Sequence, residues 1–73
     1  MTEIVIESDI TGTVWKIEAV PGQKVAEDDV IIIMESRKME IPVVATDAGA
    51  IKEILVTEGA NIVEGQPLVI LET

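Results

Sequence analysis

Slid along itself by 37 residues, the sequence aligns its two halves without a gap, Met1–Glu35 falling on Lys38–Glu72. Glu3 and Ile4 fall on Glu40 and Ile41, Gly12 on Gly49, Ile17 on Ile54, Gly22 on Gly59, Glu27 on Glu64, Ile33 on Ile70, and Glu35 on Glu72. These eight identities among 35 pairs are joined by substitutions that keep character: Val14/Ile51, Val25/Ile62, Ile31/Leu68, Ile32/Val69 and Met34/Leu71. Chance likeness between stretches rich in Val and Ile is a poor account of a single unbroken offset with matched glycines. Two similar halves imply a quasi-two-fold structure. At 73 residues there is no room for a second core, so residues 1–73 are read as one domain.

Each half reads as strands. Thr2–Glu7, Gly12–Glu18, Val30–Glu35, Met39–Val44, Ala48–Val56 and Pro67–Glu72 are rich in Val and Ile and bounded by turn residues. Val-Pro-Gly at 20–22 and Glu-Gly at 58–59 mark turns, each followed by a short strand at Lys24–Val25 and Asn61–Ile62. Pro42 and Pro67 cannot donate to a ladder, which predicts a sheet edge or a strand end for each. Ala26–Asp29 and Val63–Gln66 each have room for one turn. No segment holds a capped helical period. The expected fold is all-β: a flattened eight-strand barrel or sandwich of two four-stranded antiparallel sheets carrying the internal quasi-two-fold repeat.

In both halves a glycine is followed by apolar residues two and five positions on: Gly12, Val14, Ile17 and Gly49, Ile51, Ile54. A spacing of three breaks period-two alternation, and a β-bulge is the usual way to bring both side chains to one face. Trp15, paired by the repeat with Lys52, then looks outward; as the only aromatic residue it is equally well read as core. Ile33 and Ile70 sit mid-strand in apolar runs and are expected to be core, with truncation to Ala costing roughly 2–5 kcal/mol each.

Composition removes most chemistry. There is no Cys, hence no disulfide framework and no thiolate, and no His, the commonest general base and metal ligand. Asp28 and Asp29 are adjacent acids without a His to join them on a metal. Fourteen acidic against five basic residues give a net charge of −9, which argues against a nucleic-acid partner and serves solubility or steering toward basic faces. The acidic opening is no signal peptide and no apolar run approaches a membrane span, so no membrane partner and a cytoplasmic location are expected.

Where the halves meet, the chain runs from Val30 to Val44 as two apolar stretches flanking Glu35-Ser36-Arg37-Lys38-Met39-Glu40. That polar segment is too short for a loop and predicts a tight hairpin with Lys38 at its tip. An amine on a rigid turn, clear of the barrel, is what an enzyme that attaches a cofactor needs to reach.

Glu35-Ser36-x-Lys38-Met39-Glu40-Ile41-Pro42 resembles the attachment motif of biotinyl domains, usually Glu-Ser-Met-Lys-Met-Glu. The resemblance covers the whole chain, since biotinyl/lipoyl domains share an internal repeat and eight strands. It extends to small stand-alone attachment proteins and to the carrier regions of acyl-CoA carboxylases. It implies covalent biotin on Lys38, with Arg37 and Met39 recognised by the ligase and Glu35 and Glu40 as flanking motif positions. It further implies a carrier rather than an enzyme, serving a biotin protein ligase, a biotin carboxylase and a carboxyltransferase. Two departures stand out. Arg37 occupies a position usually held by Met, placing a cation beside the target amine; and Ser8–Thr11 lacks the Pro-rich stretch often found before the first glycine. The unbroken repeat leaves no space for the extra thumb of some bacterial carriers. Lipoyl domains usually carry Asp-Lys-Ala at the tip, so lipoate on Lys38 is the alternative cofactor. An unmodified interaction module is the alternative from another class.

Overall fold

The computed structural model describes residues 2–73. Eight strands follow in order: β1 (Glu3–Glu7), β2 (Gly12–Ile17), β3 (Lys24–Val25), β4 (Val30–Ser36), β5 (Met39–Val44), β6 (Gly49–Ile54), β7 (Asn61–Ile62) and β8 (Pro67–Glu72). They form two four-stranded antiparallel sheets, ordered β1-β8-β6-β3 and β5-β4-β2-β7. No helix long and apolar enough to cross a membrane occurs among the described residues.

The offset of 37 is carried into the backbone. β2 and β6 have the same pattern of burial along their lengths, and so do β3 and β7. Gly22 N donates to Ile51 O at 2.7 Å, and its mate Gly59 N donates to Val14 O at 2.7 Å. Asp28 N donates to Ala45 O at 2.9 Å, matched by Gly65 N to Ser8 O at 2.8 Å. Ala26 N is capped by Asp29 Oδ2 at 2.8 Å, as Val63 N is by Gln66 Oε1 at 3.2 Å, so Asp29 works as a turn cap. The repeat does not fold as two separate halves. Each sheet takes two strands from each, because β1 pairs with β8 and β5 with β4, while β2 and β6 cross between.

The matched glycines Gly12 and Gly49 are explained by this weaving. A Cβ on Gly12 would lie 2.5 Å from Glu35 O, and one on Gly49 would lie 2.6 Å from Glu72 O. Real side chains cannot approach a carbonyl so closely, so only glycine lets β2 pass β4, and β6 pass β8. Register shifts fall between Val14 and Lys16 and between Ile51 and Glu53, the two bulges that the spacing predicts. Trp15 sits at the first of them and is 50% exposed, so the outward reading holds. Its mate Lys52 pairs with Glu3 of β1, which raises the Lys52 pKa above its ordinary value through the hydrogen bond and charge of that carboxylate. Pro42 lies on the edge strand β5, and Pro67 opens β8.

The core is lined by Ile6, Val14, Val25, Ile31, Ile32, Met34, Ile51, Ile62, Leu68, Val69 and Leu71, all buried. Ile33 and Ile70 are a correction to the expected core: both are only partly buried and lie outside the core cluster. Alternation explains this. Ile32 and Met34 point inward, so Ile33 between them faces the outer surface opposite Pro42 and Lys16. The run appears uniformly apolar because Ile31 stands at a further register shift, between Val30 and Ile32, and turns inward beside Ile32.

Candidate functional site

β4 and β5 are joined by two residues. Ser36 is paired with Met39 across the ladder, and Arg37 and Lys38 make the turn between them. Both turn residues have positive φ, 52° at Arg37 and 65° at Lys38, as a hairpin loop of this length demands if it is to match the right-handed twist of its strands. Such a turn favours Asn and Gly, because a side chain in the left-handed region crowds its own carbonyl at a cost of roughly 1–2 kcal/mol per residue. This chain puts Arg and Lys there instead. Arg37→Gly or Lys38→Gly is therefore expected to raise stability by about 0.5–1 kcal/mol, part of the gain being offset by the extra freedom of glycine in the unfolded chain. Urea unfolding of the two variants measures it.

Arg37, Lys38 and Met39 are all exposed, Met39 to 62%. Glu35 and Glu40 face each other in the register one step below the turn, and both are exposed. Lys38 has no ion-pair partner among the described residues, whereas Lys16 pairs with Glu18 at 3.8 Å and Lys52 with Glu3. The motif residues Glu35 to Glu40 are thus brought onto one projecting corner.

A brace holds that corner. Ser36 Oγ donates to Thr11 O at 3.1 Å, and Glu64 N donates to Thr11 Oγ1 at 3.2 Å, tying the turn to the 8–11 segment and the segment to the loop before β8. Ser8, 2% exposed, anchors the same segment by donating to Ile10 O at 2.6 Å. A shallow recess of about 410 Å³ lies beside the turn, lined among others by Asp9, Thr11, Ser36, Arg37, Met39 and Glu64. Sequence reasoning noted only that residues 8–11 lack prolines; nothing in their order signals that Thr11 carries the brace.

The two-fold places the chain ends at the mate of this corner. Thr2 and Thr73 exchange both backbone hydrogen bonds, at 3.2 and 2.8 Å, in the position that Met39 and Ser36 hold in the other half. The turn and the junction of the ends therefore occupy symmetry-related sides of a body 36 × 18 × 17 Å in extent.

With that geometry in place, comparison with known proteins is decisive. The model of the family described as "Biotin-requiring enzyme" matches residues 2–71. The chain belongs to the biotin/lipoyl attachment family. Among its relatives, a biotin/lipoyl attachment protein of Bacillus subtilis is 35% identical over 63 residues, which are 86% of each chain. The solved urea carboxylase of Kluyveromyces lactis superposes with a TM-score of 0.93 at 30% identity, over 99% of this chain and 6% of that one. The lipoyl domain of the 2-oxoglutarate dehydrogenase complex from Azotobacter vinelandii superposes with a TM-score of 0.81 at 30% identity, over 96% of both chains. The chain spans between 6% and 15% of the length of the larger curated relatives that it matches. Biotin/lipoyl attachment domains of both cofactor classes therefore share this fold.

Proposed function

We propose that residues 1–73 act as a biotin carboxyl carrier, with biotin joined by an amide to Lys38 Nζ. The observation that carries this reading is a lysine held at positive φ in a two-residue turn where glycine would be more stable. Keeping an amine there at a cost in stability makes sense if the amine is used. The surrounding Glu35-Ser36-Arg37-Lys38-Met39-Glu40 favours biotin over lipoate, as it differs from the biotinyl motif only at Arg37.

The residues present fit such a group, which needs an exposed amine on a braced turn. Bound there, biotin would supply the ureido nitrogen that takes up carboxylate at a biotin carboxylase and releases it at a carboxyltransferase, for transfer to an acyl-CoA or similar acceptor. The chain's own residues do simpler work. Lys38 Nζ would be the acyl acceptor when a ligase delivers the activated carboxyl group, the new amide replacing the bond to AMP and the ligase taking the amine's proton. Arg37 and Met39 offer the ligase its grip, and Glu35 and Glu40 flank the site. The Ser36–Thr11 brace keeps the turn projecting, and the domain raises the local concentration of its cargo at both enzymes. The partners are thus a biotin protein ligase, a biotin carboxylase and a carboxyltransferase, in the cytoplasm, and the chain performs no catalysis itself.

Lipoate on Lys38 is the second reading, favoured by the likeness to the Azotobacter lipoyl domain. Incubating the protein with a biotin ligase and, separately, with a lipoate ligase distinguishes them. Biotin transfer is the expected result, and modification by the lipoate ligase alone defeats the proposal. Arg37→Met is expected to speed biotin transfer by one ligase, since it restores the usual motif residue and removes a cation beside the amine. An equal or slower initial rate would show that position 37 does not govern recognition.

A further inference from the structure

Away from Lys38, an apolar cleft of about 340 Å³ runs along the two-fold between the edge strands β1 and β5. Its lining is itself nearly symmetric, with Val5, Ile6 and Asp9 opposed to their repeat mates Pro42, Val43 and Thr46. Among the described residues, no β1 Cα comes within 8 Å of a β5 Cα, so the two edges do not pair. A strand added to β1 would sit about 4.8 Å from it, within that gap.

The hydrogen-bond register decides which edge is open. Thr2 and Thr73 exchange both bonds, and antiparallel pairs alternate, so with Glu3 opposite Glu72 and Val5 opposite Ile70 the N–H and C=O of Glu3 and Val5 point away from β8. At the matching place on β5 stands Pro42, which has no N–H to offer. The other two edges, β3 and β7, span two residues each. Proline, extreme shortness and charge are the usual guards of an edge strand, and at Val5 the first two are missing. Val5 is 50% exposed at the rim, Glu7 and Asp9 line the cleft, and no Lys or Arg does.

From this we infer that β1 is a docking edge: the cleft takes, by strand addition, an extended segment of a partner protein that alternates apolar and basic residues. Main-chain bonds to Val5 give affinity, apolar side chains meet Ile6 and Val43, and cations meet Glu7 and Asp9. The inference goes beyond the carrier reading and does not depend on it.

The test is a titration of isotopically labelled protein with a short, end-capped peptide of alternating valine and lysine, followed by amide chemical shifts. Shifts are expected at Glu3–Glu7 and across the cleft at Ile41–Val44, and they should weaken with added salt. Val5→Pro copies the other half of the molecule, so the fold should accept it, yet it removes the central donor; binding should weaken by roughly tenfold. The double reversal Glu7→Lys with Asp9→Lys leaves the backbone alone and should weaken binding comparably. Lys38→Arg should bind the peptide as the unaltered protein does, which separates this result from the fate of the carrier reading. Shifts confined to the 36–39 turn, or unchanged affinity in both cleft variants, would overturn the inference. Concentration-dependent β1 shifts without peptide would overturn it too, by making a second copy of the chain the occupant.

Discussion

Lys38→Arg is expected to abolish incorporation of labelled biotin by a biotin protein ligase and to leave the unfolding curve where it was. Arginine keeps the positive charge and tolerates the same φ of 65° no better and no worse, but its guanidinium does not serve as the acyl acceptor. The remaining lysines are poor substitutes by position. Lys16, Lys24 and Lys52 lie in β2, β3 and β6, and two of them lean on carboxylates. None stands on a two-residue turn. Label that persists in the variant would remove Lys38 from the account.

The second large effect lies in the core. Ile32 and Leu71, the latter the repeat mate of Met34, are fully buried. Truncating either to Ala deletes buried methyl groups and leaves a cavity, at roughly 2–5 kcal/mol. A chain of this length has roughly 4–11 kcal/mol in total, so either change should remove a large share of that stability and lower the urea midpoint markedly. Ile33→Ala and Ile70→Ala, on the outer faces, should cost no more than about 1–2 kcal/mol. Urea midpoints of the four variants decide it. If Ile33→Ala unfolds the protein as readily as Ile32→Ala, the assignment of inner and outer faces along β4 is wrong.

The contrast between these neighbours marks how far the sequence could be read. Period and punctuation located all eight strands, since Val and Ile runs bounded by Gly, Pro and acidic turns leave few alternatives. The bulges at Trp15 and Lys52 were also legible, because a broken alternation has one common structural remedy. Faces along β4 were not legible. Five consecutive apolar residues, Val30 to Met34, carry no period, and the register shift near Ile31 inverts the count. The exchange of strands between halves was likewise hidden, because a repeat says that two units are alike and not whether they interlace. At the turn, composition and brevity pointed to Lys38, but the positive φ of Arg37 and Lys38 runs against their residue types and follows only from the two-residue loop. Thr11 could not be found beforehand, as its carbonyl accepts from Ser36 only because β2 lies beside β4, and its hydroxyl accepts from Glu64 N only because β7 lies beside β2.

Intact-mass analysis of the protein isolated from its native host, followed by mapping of any modified peptide, tests the central claim most directly. The account predicts the increment of a single biotinyl group, carried by the peptide containing Lys38. An unmodified mass, a lipoyl increment, or biotin on any other lysine would contradict it.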